Sequence, residues 1–403
     1  MSFFPQFPIH LNVISLFGLT LLFGLLGGEL ARRIRFLPRI SGYIALGFLL
    51  GPGGFKLISV PALMSDRIFI DIPLGLILFD LGRQLDFTWL RHDRGLLLSS
   101  LAESSLTFIA IFLLLYFFAN LPILPSALAA SFAIATSPAV VMMVAHDLSS
   151  EGPVTRRSLM LTSLNNFFAL TTFTFLAAQS SHLKATRLWL HAGYLLLGSL
   201  ILGLAMFVII LFIANFIGKK KQNQFVLFVG ALVFTIGISQ ILKLPTALSL
   251  FILGVATRNF DTKHHIVEID FGWTARLFFI LLFVVTGFYL RFESLQFASM
   301  VVFSFILIRI IAKSFGIWLF SKASRLTYRQ VISISLALTP MAGLAISMSN
   351  VLHDFNPDIN RQIASLIATV VFFLEILGPI ATQFSFIWTK EAHPESISNE
   401  TFS

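Results

Sequence analysis

Thirteen apolar stretches separated by short polar or charged segments run along nearly the whole chain. They lie near residues 11–30, 38–54, 71–85, 95–118, 126–146, 155–178, 189–217, 224–242, 245–258, 272–290, 296–321, 329–352 and 361–388. A helix needs about 20 predominantly apolar residues to cross the hydrocarbon of a bilayer, so the pattern predicts an all-α integral membrane protein of about 13 transmembrane helices. The second, third and ninth stretches are shorter than that, which leaves twelve spans as the alternative count. Residues 1–390 read as a single transmembrane domain and residues 391–403 as a short cytoplasmic tail. The first stretch runs into Arg32-Arg33 with no small-residue cleavage site, so it reads as a first spanning helix rather than a removable leader.

Composition agrees with a lipid environment. The chain is 57% hydrophobic and 12% charged, with a mean hydropathy of +0.89, whereas soluble domains average about 45–50% apolar and 25% charged residues. The 45 phenylalanines fit the same setting. With no cysteine, disulfides, thiolate metal sites and thiol catalysis are excluded. The net charge of +9 is not gathered into a basic helix or interleaved with aromatic residues, so nucleic acid is not an expected partner.

Topology accounts for the excess. With thirteen spans and the N-terminus outside, 19 of the 28 Lys and Arg residues fall on the cytoplasmic side and 7 on the other. This is the asymmetry of the positive-inside rule, and it predicts an outside N-terminus and a cytoplasmic C-terminus in a bacterial inner membrane. The remaining two, Arg309 and Lys313, fall inside the eleventh stretch. A charge at that depth needs a partner and marks a functional site by default. Lys313 has a second reading, in which it snorkels to the interface near the helix end.

Two stretches are interrupted. The fifth contains Ala135-Thr136-Ser137-Pro138-Ala139, and the twelfth contains Leu338-Thr339-Pro340-Met341-Ala342-Gly343. Proline within a helix removes one backbone hydrogen bond and clashes with the preceding turn, and in lipid the freed carbonyls need another partner. Breaks at matching places in two halves of a chain point to the midplane site of an inverted-repeat transporter.

Further polar groups cluster on neighbouring stretches. Thr162, Asn165 and Asn166 put a hydroxyl and two amides on the sixth, with Thr162 and Asn166 one turn apart. The bland reading is interhelical hydrogen bonding, which averages about 0.6 kcal/mol per contact in membranes. Asp80 on the third stretch suits a group that exchanges a proton for a cation, or else is interfacial, since Arg83 follows three residues later. Glu103 and Glu375 are secondary candidates, as structural partners for a buried Arg or for backbone N–H groups. No nucleophile–base pair, metal cluster or phosphate loop is present, so neither an enzyme nor a cofactor is expected.

In order and spacing these segments resemble the monovalent cation:proton antiporter superfamily, from about residue 15 to residue 385. The resemblance rests on Gly28 to Arg33, Gly42 to Gly47 and Gly51-Pro52, then on Leu76 to Asp86. It continues through Ala135 to Pro138, Phe251 to Gly254, Phe283 to Gly287, Leu338 to Pro340 with Gly343 to Ala345, and Glu375 to Pro379. It implies two inverted repeats with two crossed broken helices, and a core domain that moves against a dimerisation domain in a homodimer. It also implies an ion and a proton competing near the midplane. By resemblance Thr136 marks the first break, the sixth span carries the ion-binding pair, and Arg309 is the basic residue of the eleventh span, with Lys313 as its rival.

One departure bears on mechanism. Where the family has its essential carboxylate this chain has Asn166, giving Asn165-Asn166. An amide can ligate a cation through its oxygen but does not carry a proton at accessible pH. The expectation is therefore an exchanger of Na+ or K+ for protons in which Asp80 titrates, while Thr136, Thr162, Asn165 and Asn166 supply neutral oxygens. The alternatives are a carrier of the same fold for another solute, or a degenerate antiporter that does not transport.

Overall fold

The computed structural model describes residues 13–34, 37–51, 54–55, 68–180, 185–218, 220–261, 272–289, 300–341 and 343–393. Among them the regular elements are helices. In chain order these are α1 (Val13–Arg32), α2 (Arg39–Leu50), α3 (Ile68–Gln84), α4 (Phe87–His92), α5 (Arg94–Leu113), α6 (Ile123–Ile134), α7 (Pro138–Asp147) and α8 (Pro153–Gln179). There follow α9 (Ala185–Ile217), α10 (Lys221–Ile241), α11 (Thr246–Phe260), α12 (Gly272–Tyr289), α13 (Met300–Leu319), α14 (Tyr328–Ala337), α15 (Gly343–Phe355) and α16 (Pro357–Trp388). A π-helical turn, Leu114–Phe118, extends α5.

Each apolar stretch of the sequence becomes a helix or, at the two predicted interruptions, a pair of half-helices. Where a boundary was expected between 290 and 299, it lies outside the described residues. The stretches that looked short are short: α2, α3 and α11 have 12, 17 and 15 residues. Among the described residues, seven helical segments are by themselves long and apolar enough to cross a bilayer, which makes the chain an all-α membrane protein.

The helices pack in two groups. One holds α1, α2, α3, α9, α10, α11 and α12, and the other holds α5 to α8 with α13 to α16. In the first, α3 and α11 approach closely enough that a Cβ on Gly82 would strike the Phe251 carbonyl, and one on Gly254 the Phe79 carbonyl. In the second, the broken pair α6–α7 is the centre. Burial covers 94% of its apolar window, against 28% for α9, which lies at the periphery.

Candidate functional site

The chemistry of the second group starts at its two breaks. Ala135, Thr136 and Ser137 separate α6 from α7, and Leu338 to Met341 lie between α14 and α15. Proline disfavours the helical conformation of the residue before it, and Ser137 is extended at φ −67°, ψ 107°. Ser137 then restarts the helix: its Oγ accepts from Val140 N at 3.4 Å, with Pro138 at the first helical position, where a missing N–H costs nothing. Across the gap, Ser137 N donates to Pro340 O at 2.9 Å, and Thr136 Oγ1 donates to Leu338 O at 3.4 Å. The two breaks cross and are bonded to each other.

Each break leaves carbonyls at the end of a helix without an intrahelical donor, carrying the negative end of that helix dipole. Two residues of α13, one turn apart, meet them. Arg309 Nε donates to Ala133 O at 2.9 Å and its NH2 group to Ala135 O at 2.7 Å, while its NH1 group donates to Thr339 O at 2.7 Å. One guanidinium thus holds both breaks. Lys313 Nζ donates to Ile134 O at 2.8 Å, Thr136 Oγ1 at 3.3 Å and Glu103 Oε2 at 3.0 Å. Both Lys313 and Glu103 are buried, with side-chain exposures of 2% and 0%, so the snorkelling reading of Lys313 does not hold.

The pair exists because α5 and α13 touch backbone to backbone. Gly316 lies three residues beyond Lys313, and a Cβ there would collide with Glu103 Cα and N. On α5 the buried residues Ser99, Ser100, Glu103, Ser104 and Thr107 form a polar stripe at helical spacing facing this contact.

From the other side, α8 supplies the two amides. Asn165 Oδ1 accepts from Ser100 Oγ at 3.1 Å and Ser104 Oγ at 3.4 Å, and its Nδ2 reaches Thr136 Oγ1 at 3.5 Å. Asn166 Nδ2 donates to Thr136 O at 2.7 Å and to Thr162 O at 2.8 Å. Asn166 Oδ1 and Thr162 Oγ1 are buried with no hydrogen-bond partner.

Of the residues singled out in the sequence, Thr136, Pro138, Thr162, Asn165, Asn166, Arg309, Lys313, Thr339 and Pro340 therefore meet at one buried crossing. Asp80 is held elsewhere. It pairs with Arg83 on its own helix at 3.6 Å and is partly exposed. The carboxylate that bears electrostatically on both Arg309 and Lys313 is Glu103. The sequence placed Glu103 second, although the serine and threonine stripe around it was the signal of an inward polar face.

Comparison with known proteins agrees with this architecture. A family model described as sodium/hydrogen exchanger, transmembrane, matches residues 18–388. Among solved structures, that of the sodium proton antiporter MjNhaP1 from Methanocaldococcus jannaschii at pH 8 is similar, with a TM-score of 0.70 at 17% identity, covering 93% of this chain and 95% of that one. An electron-microscopy map of the same antiporter gives a TM-score of 0.73 at 16% identity, covering 94% and 96%. At such identity the likeness is one of fold. No curated protein matches the chain.

Proposed function

The chain belongs to the sodium/hydrogen exchanger family, and on that footing we propose that this cation/proton antiporter exchanges Na+ or K+ for protons at the crossing of its two broken helices. The observation that carries the reading is the seat of Lys313. Its ammonium lies against a carboxylate oxygen, a carbonyl and a hydroxyl, those of Glu103, Ile134 and Thr136. A partly dehydrated monovalent cation is bound by the same kinds of oxygen. For such a cation to take that place without leaving two positive charges on one carboxylate, Lys313 must give up a proton. A cation enters as a proton leaves, and the crossing keeps its charge.

In this reading Thr136, Thr162 and Asn166 contribute neutral oxygens, and Arg309 holds the frame without titrating. Asp80, paired with Arg83 on α3, stands outside the exchange step. We place the protein in a bacterial inner membrane as a homodimer with N-terminus outside and C-terminus in the cytoplasm.

The test is transport by purified protein in liposomes carrying an internal pH-sensitive dye, challenged with sodium, potassium or lithium. Wild type and Asp80→Asn should move protons in response to at least one cation, and Glu103→Gln should not. Normal exchange by Glu103→Gln would refute the assignment of the step. No response to any cation in wild type would favour a carrier of the same fold for another solute.

A further inference from the structure

At the crossing two helices end, α6 and α14, and two begin, α7 and α15. Negative and positive dipole ends therefore meet there in equal number. Arg309 and Lys313 answer the negative ends. α16 packs along both α7 and α15, and the acidic residue in its interior is Glu375.

Three contacts fix the register of α16 against the second broken helix. Ser385 Oγ donates to Ser333 O at 2.7 Å and Thr382 Oγ1 to Ala337 O at 3.4 Å, and a Cβ on Gly378 would lie 2.7 Å from Pro340 Cα. The two segments run antiparallel. Glu375 lies one turn before Gly378 on α16, beside the second break beyond which α15 begins at Gly343, and the leading N–H groups of α15 have no intrahelical acceptor.

Glu375 is fully buried, and neither carboxylate oxygen has a hydrogen-bond partner. The other charged or titratable groups on elements packed against α16 are engaged or distant. Arg309 and Lys313 of α13 hold the breaks and Glu103. Asp147, beside His146 at the end of α7, pairs with Arg39 of α2, and Tyr43 of α2 lies against Gly28 of α1. Tyr328 and Arg329 stand at the start of α14, where Arg329 bonds to Trp388 O. α6 carries no charge. Among the described residues, none forms a hydrogen bond with Glu375. An ionised carboxylate in such a place gives up its hydration and receives nothing for it. A buried acid of this kind inside a membrane marks function by default.

We propose that Glu375 is a second proton-binding group of the exchanger, serving the positive side of the crossing as the Glu103–Lys313 pair serves the negative side. Its transport consequence rests on the exchange proposed above; its chemistry does not. In the arrangement described the carboxyl carries its proton. When the core repacks and water reaches it, the O–H bond breaks, the proton leaves to that aqueous side, and the carboxylate is held by the first-turn N–H groups of α15. Uptake of a proton from the opposite side restores the acid. Together with the proton released at Lys313, each cation is then exchanged for two protons, and one net charge crosses the membrane.

Infrared difference spectroscopy of the full chain in lipid, wild type against Glu375→Gln, reads the chemistry. Wild type should show the carbonyl stretch of a protonated, buried carboxylic acid, absent from the variant and shifted when sodium or potassium is added. A carboxylate band in its place, or no band lost on substitution, overturns the proposal whatever transport shows. In proteoliposomes the reversal potential should give two protons per cation for wild type and one for Glu375→Gln. Equal coupling in the two proteins also overturns it. If wild type moves no protons, the exchange reading fails and the infrared band alone decides Glu375. If Glu375→Gln does not fold, Glu375→Asp should move the band without abolishing it, and an unmoved band counts against the proposal.

Discussion

Ser137 N donates to Pro340 O at 2.9 Å, so the two helix breaks, which come from opposite halves of the chain, are bonded directly to each other. Arg309 then spans both through Ala133, Ala135 and Thr339. Neither break can shift alone without stranding buried main-chain groups of the other.

Arg309→Lys keeps the charge and loses the fork. An ammonium reaches fewer of the three carbonyls, and each lost bond to a charged donor is worth about 1.5–3 kcal/mol. Thermal unfolding in detergent should show a loss of about 3 kcal/mol; an unchanged midpoint would mean that Arg309 does not hold the crossing.

The Glu103–Lys313 pair should behave as a unit. Lys313→Met leaves a buried carboxylate without its cation, at a cost of about 3–5 kcal/mol. The double variant Glu103→Gln, Lys313→Met should recover much of that stability while remaining unable to exchange. A double-mutant cycle with no coupling between the two positions would dissolve the pair as a functional element.

Much of this architecture was legible in the sequence, because in lipid hydrophobic length and broken periodicity reflect direct physical constraints. All thirteen stretches became helices, and Pro138 and Pro340 marked both breaks. Arg309 stood out because a charge at that depth has few innocent explanations. What was not legible was which acid answers it. Asp80 and Glu103 look alike along the chain, and their difference lies across helices: α3 offers Asp80 its own Arg83, while Gly316 lets α13 bring Lys313 against Glu103. Pairing of that kind has no local signature. The serines and threonines flanking Glu103 announce only that its face turns inward.

Gly316 itself can be tested. A side chain there must push the α5 backbone at Glu103, so Gly316→Val should destabilise by about 1–3 kcal/mol, the usual cost of overpacking, and should depress exchange. Gly237, where an added Cβ meets nothing within 4 Å, should accept alanine without loss. Equal tolerance at the two positions would contradict the close approach of α5 and α13.

Asn166→Asp turns an amide that donates to Thr136 O and Thr162 O into a carboxylate facing two carbonyl oxygens. The repulsion is relieved by a proton or by a cation between them. The variant should melt below wild type at neutral pH in the absence of sodium and potassium, and recover on acidification or on adding either ion. A melting temperature insensitive to both would show that the position does not face the crossing as described.

Outside the membrane segments, Asp86 caps α4 and binds Arg258 at 3.1 Å. Burial opposes its ionisation, but the Arg258 hydrogen bond and charge, together with the N–H groups of Trp89 and Thr88, outweigh it and hold the carboxyl below its ordinary value. Its contribution to stability is complete above about pH 4, the unfolded range, and is lost as pH falls through the lower folded value. Melting curves should therefore separate wild type from Asp86→Asn at neutral pH and converge in acid. A gap that stays constant into acid would remove Asp86 from the account.

The bonds of Arg309 to the crossing go to peptide oxygens only. Every residue has a carbonyl, so what this arginine recognises survives any substitution that leaves the chain's path intact. The side chains lining the crossing, Lys313 and Asn166 among them, still bond its carbonyls, but they do not hold it alone. A change at one of them costs stability without undoing the frame, and descendants of one frame can come to differ in what they carry while crossing their helices in the same way.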